Sequence, residues 1–570
     1  MNCLFFLNGY SVTCHICHTF SLLLLCMMLI PVACSEDAPG DAEGSRTAGS
    51  GRPLPDDAAP STYQIFRSVQ AEPHTLDLSL DAYAAGDLIH IFETLVVVHP
   101  NMELRPGAAD RWEPNEDGTA WTFYLREGNK WSDGRPVTAH DFEYSFKRML
   151  DPKEAGNYAF VYYDIVGARD FNAGKSEDQE SVGIRAIDDH TLVIDLLKPT
   201  PYLPNLLAFV TAIPVPRWQV EKFGQKWTQG NNSISTGPYM VGEWLPGQYI
   251  TYIPNLDYSG PYKGYLDQIQ WLFSGDPTAL LNAYENDEID VHALSAIELG
   301  RIEQDAKLNK ELVRSHSNTT WYLFFKTATA PFNDQRVRQA IAHSVDRDIL
   351  TKTVMKGAGI PAYTMMPPGM KDHLQMDFSN YQAYDPSKGQ KLLADAGFPD
   401  GRGFPKMELW LRGADVLQLQ VAQAIQGMLK EKLGIDVTIQ NQETHVYFDN
   451  MYRYDIPFSL IAFNQDFADP VNMISQVWRS RDVGFGRHDW KNVTFDRLVD
   501  QADSEMTAEN RRGLYREAQR VLAEDAGGVF LYYQVDLRLV KPWVKNYTRG
   551  ETPGYPGYMR LSRVWDVYIG

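Results

Sequence analysis

The residues best equipped for chemistry stand at the start of the chain. Cys14-His15-Ile16-Cys17-His18 has the C-x-x-C-H spacing of a covalent haem attachment point, and two thiolates with two imidazoles could equally hold zinc. All five cysteines, Cys3, Cys14, Cys17, Cys26 and Cys34, fall within the first 34 residues, so no disulfide and no thiolate metal site can form beyond Cys34. The rest of the chain lacks the G-x-S-x-G nucleophile elbow and the H-E-x-x-H pair. Gly174-Lys175-Ser176 ends like a phosphate-binding loop, but Arg169 occupies the position that needs glycine. The remaining histidines show no metal-ligand spacing. A catalytic set assembled by folding leaves no local motif, so these absences narrow the field without closing it.

The elements that would position any functional group are those of a large globular protein. Of 570 residues, 44% are hydrophobic and 22% charged, outside the disordered, collagen-like and coiled-coil ranges. The 53 Lys and Arg against 73 Asp and Glu leave a net charge of −20 with no basic stripe, which argues against a nucleic-acid partner. An aromatic content of 12% reads first as core packing and second as a stacking-rich cavity.

The apolar run from Phe20 to Ala33 is too short to span a bilayer and fits the core of an export signal. It ends Leu29-Ile30-Pro31-Val32-Ala33-Cys34, which resembles the lipobox of bacterial lipoprotein signals and would make Cys34 the lipidated first residue. Pro31 stands where leucine is usual, and no Lys or Arg precedes Arg46. Cleavage there would remove the C-x-x-C-H motif. Residues 1–34 therefore read as a lipoprotein signal peptide. Ser35 to Pro60, almost wholly small, acidic and Pro/Gly residues, reads as a flexible tether.

From Tyr63 onward there is neither repeat nor low-complexity segment, and the pattern is irregular α and β. Trp121 to Arg126 alternates like a half-buried strand, and Thr138-Ala139-His140-Asp141 is a capping box that starts a helix at Ala139 with Phe142, Phe146 and Met149 on its core face. Met407 to Leu411, Val416 to Leu433 closed by Gly434, and Ile435 to Ile439 read as a βαβ unit. Asn333, Asp346 and Asp385-Pro386 each precede a helical pattern, and Gly397 closes the last.

A set of ordered stretches resembles the solute-binding proteins of peptide-importing ABC transporters, extracellular solute-binding protein family 5, and within it the periplasmic oligopeptide-binding proteins. They include Ala109-Asp110-Arg111-Trp112-Glu113, Lys130-Trp131-Ser132-Asp133-Gly134-Arg135-Pro136-Val137-Thr138, Pro331-Phe332-Asn333-Asp334, and Leu539-Val540-Lys541-Pro542-Trp543. The resemblance runs from about residue 64 to the C-terminus.

It implies a two-lobed α/β fold of the periplasmic-binding-protein type (type II, cluster C) with an extra small domain. Residues 61–92, 217–318 and 536–570 would form one lobe, 93–216 the small domain and 319–535 the other main lobe. It implies a monomeric, non-enzymatic binder without cofactor or metal. Such a protein captures oligopeptides in the periplasm or cell envelope, anchored to a membrane through Cys34, and delivers them to ABC permease subunits.

Such a site must hold what all peptides share, the backbone and the charged termini. By position, the resemblance assigns backbone pairing to Ala82-Tyr83-Ala84 and Phe463-Asn464-Gln465, and the peptide α-ammonium to Asp466. Asp469, close by, reads instead as a helix N-cap before Pro470. Tyr158 aligns with a tyrosine lining the peptide site. Phe463 stands where the family often has Trp, Gln534 where Tyr is common, and no cation for the peptide C-terminus can be carried over. A specialised ligand such as a dipeptide, murein peptide, glutathione or signalling peptide stays open within the class. Outside it stand an exported hydrolase and a chaperone-like or adhesive surface protein.

Overall fold

The computed structural model describes residues 46–82, 88–99, 103–368, 370, 378–480, 488–547 and 564–570. The export signal, Cys34, the C-x-x-C-H motif, Tyr83 and Ala84 lie outside the described residues.

Three sheets of four or more strands organise the described residues. In the first, Ile65–Gln70 pairs in parallel with Gln268–Phe273, which continues antiparallel through Tyr249–Pro254 to Tyr239–Leu245. The second is antiparallel, in the order Ala109–Pro114, Ala120–Leu125, Thr191–Asp195 and Ile184–Asp188. Ala120–Leu125 alternates in burial along its length, as its sequence requires, and sets Trp121, Phe123 and Leu125 on the core face. The helix Ala139–Leu150 begins where the capping box places it, with the Asp141 carboxylate accepting from the Thr138 N–H at 2.8 Å. Phe142, Phe146 and Met149 are fully buried in one continuous core with both sheets.

The third sheet has seven strands and carries the site. Its order is Val291–Ala293, Gly528–Val540, Leu312–Phe325, Phe458–Asn464, Met407–Arg412 and Val437–Gln442, with Gly359–Pro361 also on Gly528–Val540. The long strands Leu312–Phe325 and Gly528–Val540 run antiparallel, with a register slip between His316 and Thr320. Met407–Arg412, the helix Val416–Leu433 and Val437–Gln442 form a parallel βαβ unit. Apolar clusters cover both faces of this sheet.

Two local readings need correction. The helix Gln335–Ser344 is capped by Asp334, whose carboxylate accepts from the Arg336 N–H at 2.9 Å, not by Asn333 one residue earlier. The stretch read as a tether is packed from Arg46 onward. Ala48, Leu54 and Ala58 bury themselves with Tyr568, Ser50 donates to the Gly264 carbonyl at 2.6 Å, and the Arg52 guanidinium lies 3.6 Å from the Tyr265 ring centroid. A few small apolar groups suffice once a neighbouring surface exists to receive them, and composition alone does not show that surface.

Candidate functional site

The strand Phe458–Asn464 leads into a short turn that holds Asp466 and then into the helix Pro470–Met473. Asn472 on that helix reaches back and makes a reciprocal pair: its Oδ1 accepts the Asp466 N–H at 2.8 Å and its Nδ2 donates to Asp466 Oδ2 at 3.0 Å. Tyr158, 308 residues away in sequence, donates its hydroxyl to Asp466 Oδ1 at 3.2 Å. Asp466 is only 1% exposed, so its carboxyl is almost wholly removed from bulk water.

Asp469 has a different job. It caps Pro470–Met473 by accepting the Val471 N–H at 2.9 Å, and it takes two hydrogen bonds from Arg511 at 2.8 and 2.6 Å. Burial would pull the Arg511 guanidinium down, but Asp469, with Tyr515 and Asp503, outweighs it and holds Arg511 well above its ordinary value.

Asp466 forms part of the wall of a cavity of about 1000 Å³. Tyr158, Phe463, Asn464 and Gln534 also line it. The Gln534 Oε1 accepts from Trp321 Nε1 at 3.1 Å, and its Nε2 donates to Asp536 at 3.0 Å. Ala82 and Gln465 are not in the wall. The Ala82 N–H donates to the side chain of Asn157, which is, and Gln465 is buried with its N–H and Oε1 both engaged by Asn318. Gln465 thus fastens the Asp466 turn to the register slip in Leu312–Phe325.

Three lining groups escaped the sequence reading. Trp321 stacks on Tyr532 at 5.8 Å and presents itself to the cavity. The helix Thr444–Tyr452 turns His445, Phe448, Asp449 and Tyr452 inward, the one-face spacing of a helix. Arg412, the last residue of Met407–Arg412, is the one Arg or Lys among the described lining residues; its guanidinium lies 5.1 Å from the Phe448 ring centroid and has no carboxylate partner among the described residues. A cation at a strand end gives no signal in sequence until the strand order is known. Among the described residues no cluster of His, Cys, Asp and Glu is arranged to hold a metal ion, and no helix is long and apolar enough to cross a membrane.

A large cavity with aromatic walls, a buried carboxylate and a separate guanidinium, set between a mixed sheet and a smaller α/β body, fits a binding protein of the two-lobed periplasmic type. The chain belongs to the bacterial extracellular solute-binding proteins, family 5, whose middle region matches residues 103–485. It is 34% identical over 493 residues to the periplasmic oligopeptide-binding protein OppA of Salmonella typhimurium, covering 85% of this chain and 88% of that protein. Among solved structures it is similar to OppA of Burkholderia pseudomallei, with a TM-score of 0.74, 27% identity and coverage of 91% and 100%. It is also similar to the murein tripeptide binding protein MppA of Escherichia coli, with a TM-score of 0.72, 28% identity and coverage of 89% and 98%. The family consists of substrate-binding proteins rather than enzymes.

Proposed function

We propose that this chain captures short peptides outside the cytoplasmic membrane and hands them to an ABC importer. The observation that carries this reading is the pairing, in one cavity, of the buried Asp466 carboxylate with the separate Arg412 guanidinium. Asp466 receives the peptide α-ammonium, and Arg412 receives the α-carboxylate as a charge-assisted hydrogen bond. Asn464 and the adjoining strand supply backbone contacts, and side chains enter wet aromatic pockets at Trp321, Phe448 and Phe463. Tyr158 and Gln534 complete the walls.

The span also favours short peptides. Trp410 pairs with Ser459, so Arg412 lies level with Ile461, five residues before Asp466. At about 3.3 Å per residue, that is roughly 16 Å, the length of an extended peptide of about four or five residues. Lobe closure about the slip between His316 and Thr320 is the functional motion in this reading, with ligand contacts on both walls favouring the closed state. The protein acts as a monomer, tethered through a lipid on Cys34, without catalysis.

The test is native mass spectrometry of the protein produced without residues 1–34, followed by denaturation and sequencing of what is released. Short peptides of a narrow length range are expected, and in a correctly folded Asp466→Ala variant peptide affinity falls about thirtyfold or more, the roughly 2 kcal/mol lost with one partner of a buried charge pair. Protein that is empty, ignores a peptide library and shows no shift in melting temperature with it would overturn the reading.

A further inference from the structure

A second cavity, of about 420 Å³, shares Phe160 with the first. One wall comes from residues 160–202 and the other from residues 471–503, and seven of its lining side chains are acidic or basic. The carboxylates are all engaged. Asp500 binds Arg479 through both oxygens at 2.6 and 2.9 Å. Asp503 accepts from Ser475 at 2.6 Å and Tyr515 at 2.7 Å and lies 4.0 Å from Lys198, while Asp164 accepts from Tyr202 and lies 3.6 Å from the same lysine. That leaves two cations, one on each wall, with no carboxylate partner among the described residues: Arg169, whose guanidinium rests 4.9 Å from the Tyr163 ring centroid, and Lys491. Beside them the buried Ser480 hydroxyl has no hydrogen-bond partner among the described residues.

We propose that this cavity binds a small multivalent oxyanion, a phosphate- or carboxylate-bearing compound, held between Arg169 on one wall and Lys491 with Ser480 on the other. The volume falls in the range of ligand pockets. Cations on both walls let one anion take charge-assisted hydrogen bonds from either side. The site is also wired to the first cavity. Gln476, in its wall, accepts from Asn472 at 2.9 Å, and Asn472 is the residue that holds Asp466. An anion that touches both walls favours the same approach of residues 158–202 to residues 466–503 that brings Tyr158 to Asp466. Anion binding and peptide capture are therefore positively and reciprocally coupled; this coupling rests on the peptide-binding reading, whereas the anion site does not.

The test compares pyrophosphate and citrate with chloride at matched ionic strength. One or both should raise the melting temperature of the purified protein saturably above the chloride control, pyrophosphate identifying a phosphate-bearing ligand and citrate a polycarboxylate. The Arg169→Gln/Lys491→Gln double variant, altered only at exposed side chains, should weaken that response at least tenfold in concentration. No response beyond chloride, or an unchanged response in the double variant, overturns the site. Calorimetry with tetra-alanine then reads the coupling. Tighter peptide binding in the presence of the effective anion supports it, and unchanged affinity overturns it. If tetra-alanine and a peptide library both fail to bind while the anion response stands, it is the peptide reading that falls.

Discussion

Asp466 and Asp469 stand three residues apart and the fold holds them differently, Asp466 between Tyr158 and Asn472 and Asp469 on Arg511. Asp469 is consumed by the fold, because Arg511 grips both its oxygens and Val471 takes its cap. Replacing it with alanine leaves Arg511 buried and unpaired, so Asp469→Ala should destabilise the protein by about 3–5 kcal/mol in urea unfolding. A loss below 1 kcal/mol would contradict that account. Arg412 calls for a ligand-side experiment. Arg412→Ala should weaken binding of free-acid peptides by about tenfold or more yet leave C-terminally amidated peptides almost unaffected, since only the former offer a carboxylate to the guanidinium. Equal losses for both would assign Arg412 to packing on Phe448. The N-cap role of Asp469 was readable from Asp-Pro alone. The cavity position of Arg412 was not, because it depends on which strand lies beside Met407–Arg412.

At the scale of the element, the helix Val416–Leu433 shows how a boundary is decided. Gly434 takes the left-handed conformation at φ 71° and its N–H returns to the Lys430 carbonyl, the single bond of an αL ending, while the Ile435 N–H reaches one residue further back to the Leu429 carbonyl. Ile435 is thereby used to close the helix, which is why the following strand begins at Val437 rather than at Ile435. A Cβ on Gly434 would stand 2.3 Å from the Asp400 carbonyl oxygen. Gly434→Ala should therefore cost about 1–3 kcal/mol. Gly434→Asn, which tolerates the dihedral but not the close approach, should not rescue it. Rescue by asparagine in thermal or urea unfolding would show that the dihedral alone was at issue.

Over the whole molecule, residues 164–205 meet the Asp466 region through polar contacts: Asn205 with the Ala468 carbonyl, Lys198 near Asp503, and the Arg511 guanidinium 5.9 Å from the Tyr202 ring centroid. Burial pushes the Asp503 carboxyl up from its ordinary value, only partly opposed by Lys198 and by hydrogen bonds from Ser475 and Tyr515. An acid whose folded value is raised holds its proton longer in the native state, so stability falls as pH rises from its unfolded value near 3.8 towards the raised one. Asp503→Asn removes that loss. Relative to the parent protein, the variant should be less destabilised at pH 8 than at pH 4 in denaturant unfolding, and parallel pH profiles would refute the assignment.

What the sequence by itself determined was local or periodic. The cap at Ala139, the alternation of Ala120–Leu125, the helix ending at Gly434 and the Asp-Pro cap at Asp469 each depend on residues within one or two turns of one another, so their energetics are written in neighbouring letters. The ordered family stretches extended this to the α/β architecture. Only the tertiary structure brought Tyr158 to Asp466, set Arg412 on the same cavity, retired Gln465 to the interior and packed residues 46–60 on Tyr568. Those outcomes turn on sheet order and on contacts hundreds of residues apart, where burial and the pairing of charges decide the arrangement and no local spacing carries the information.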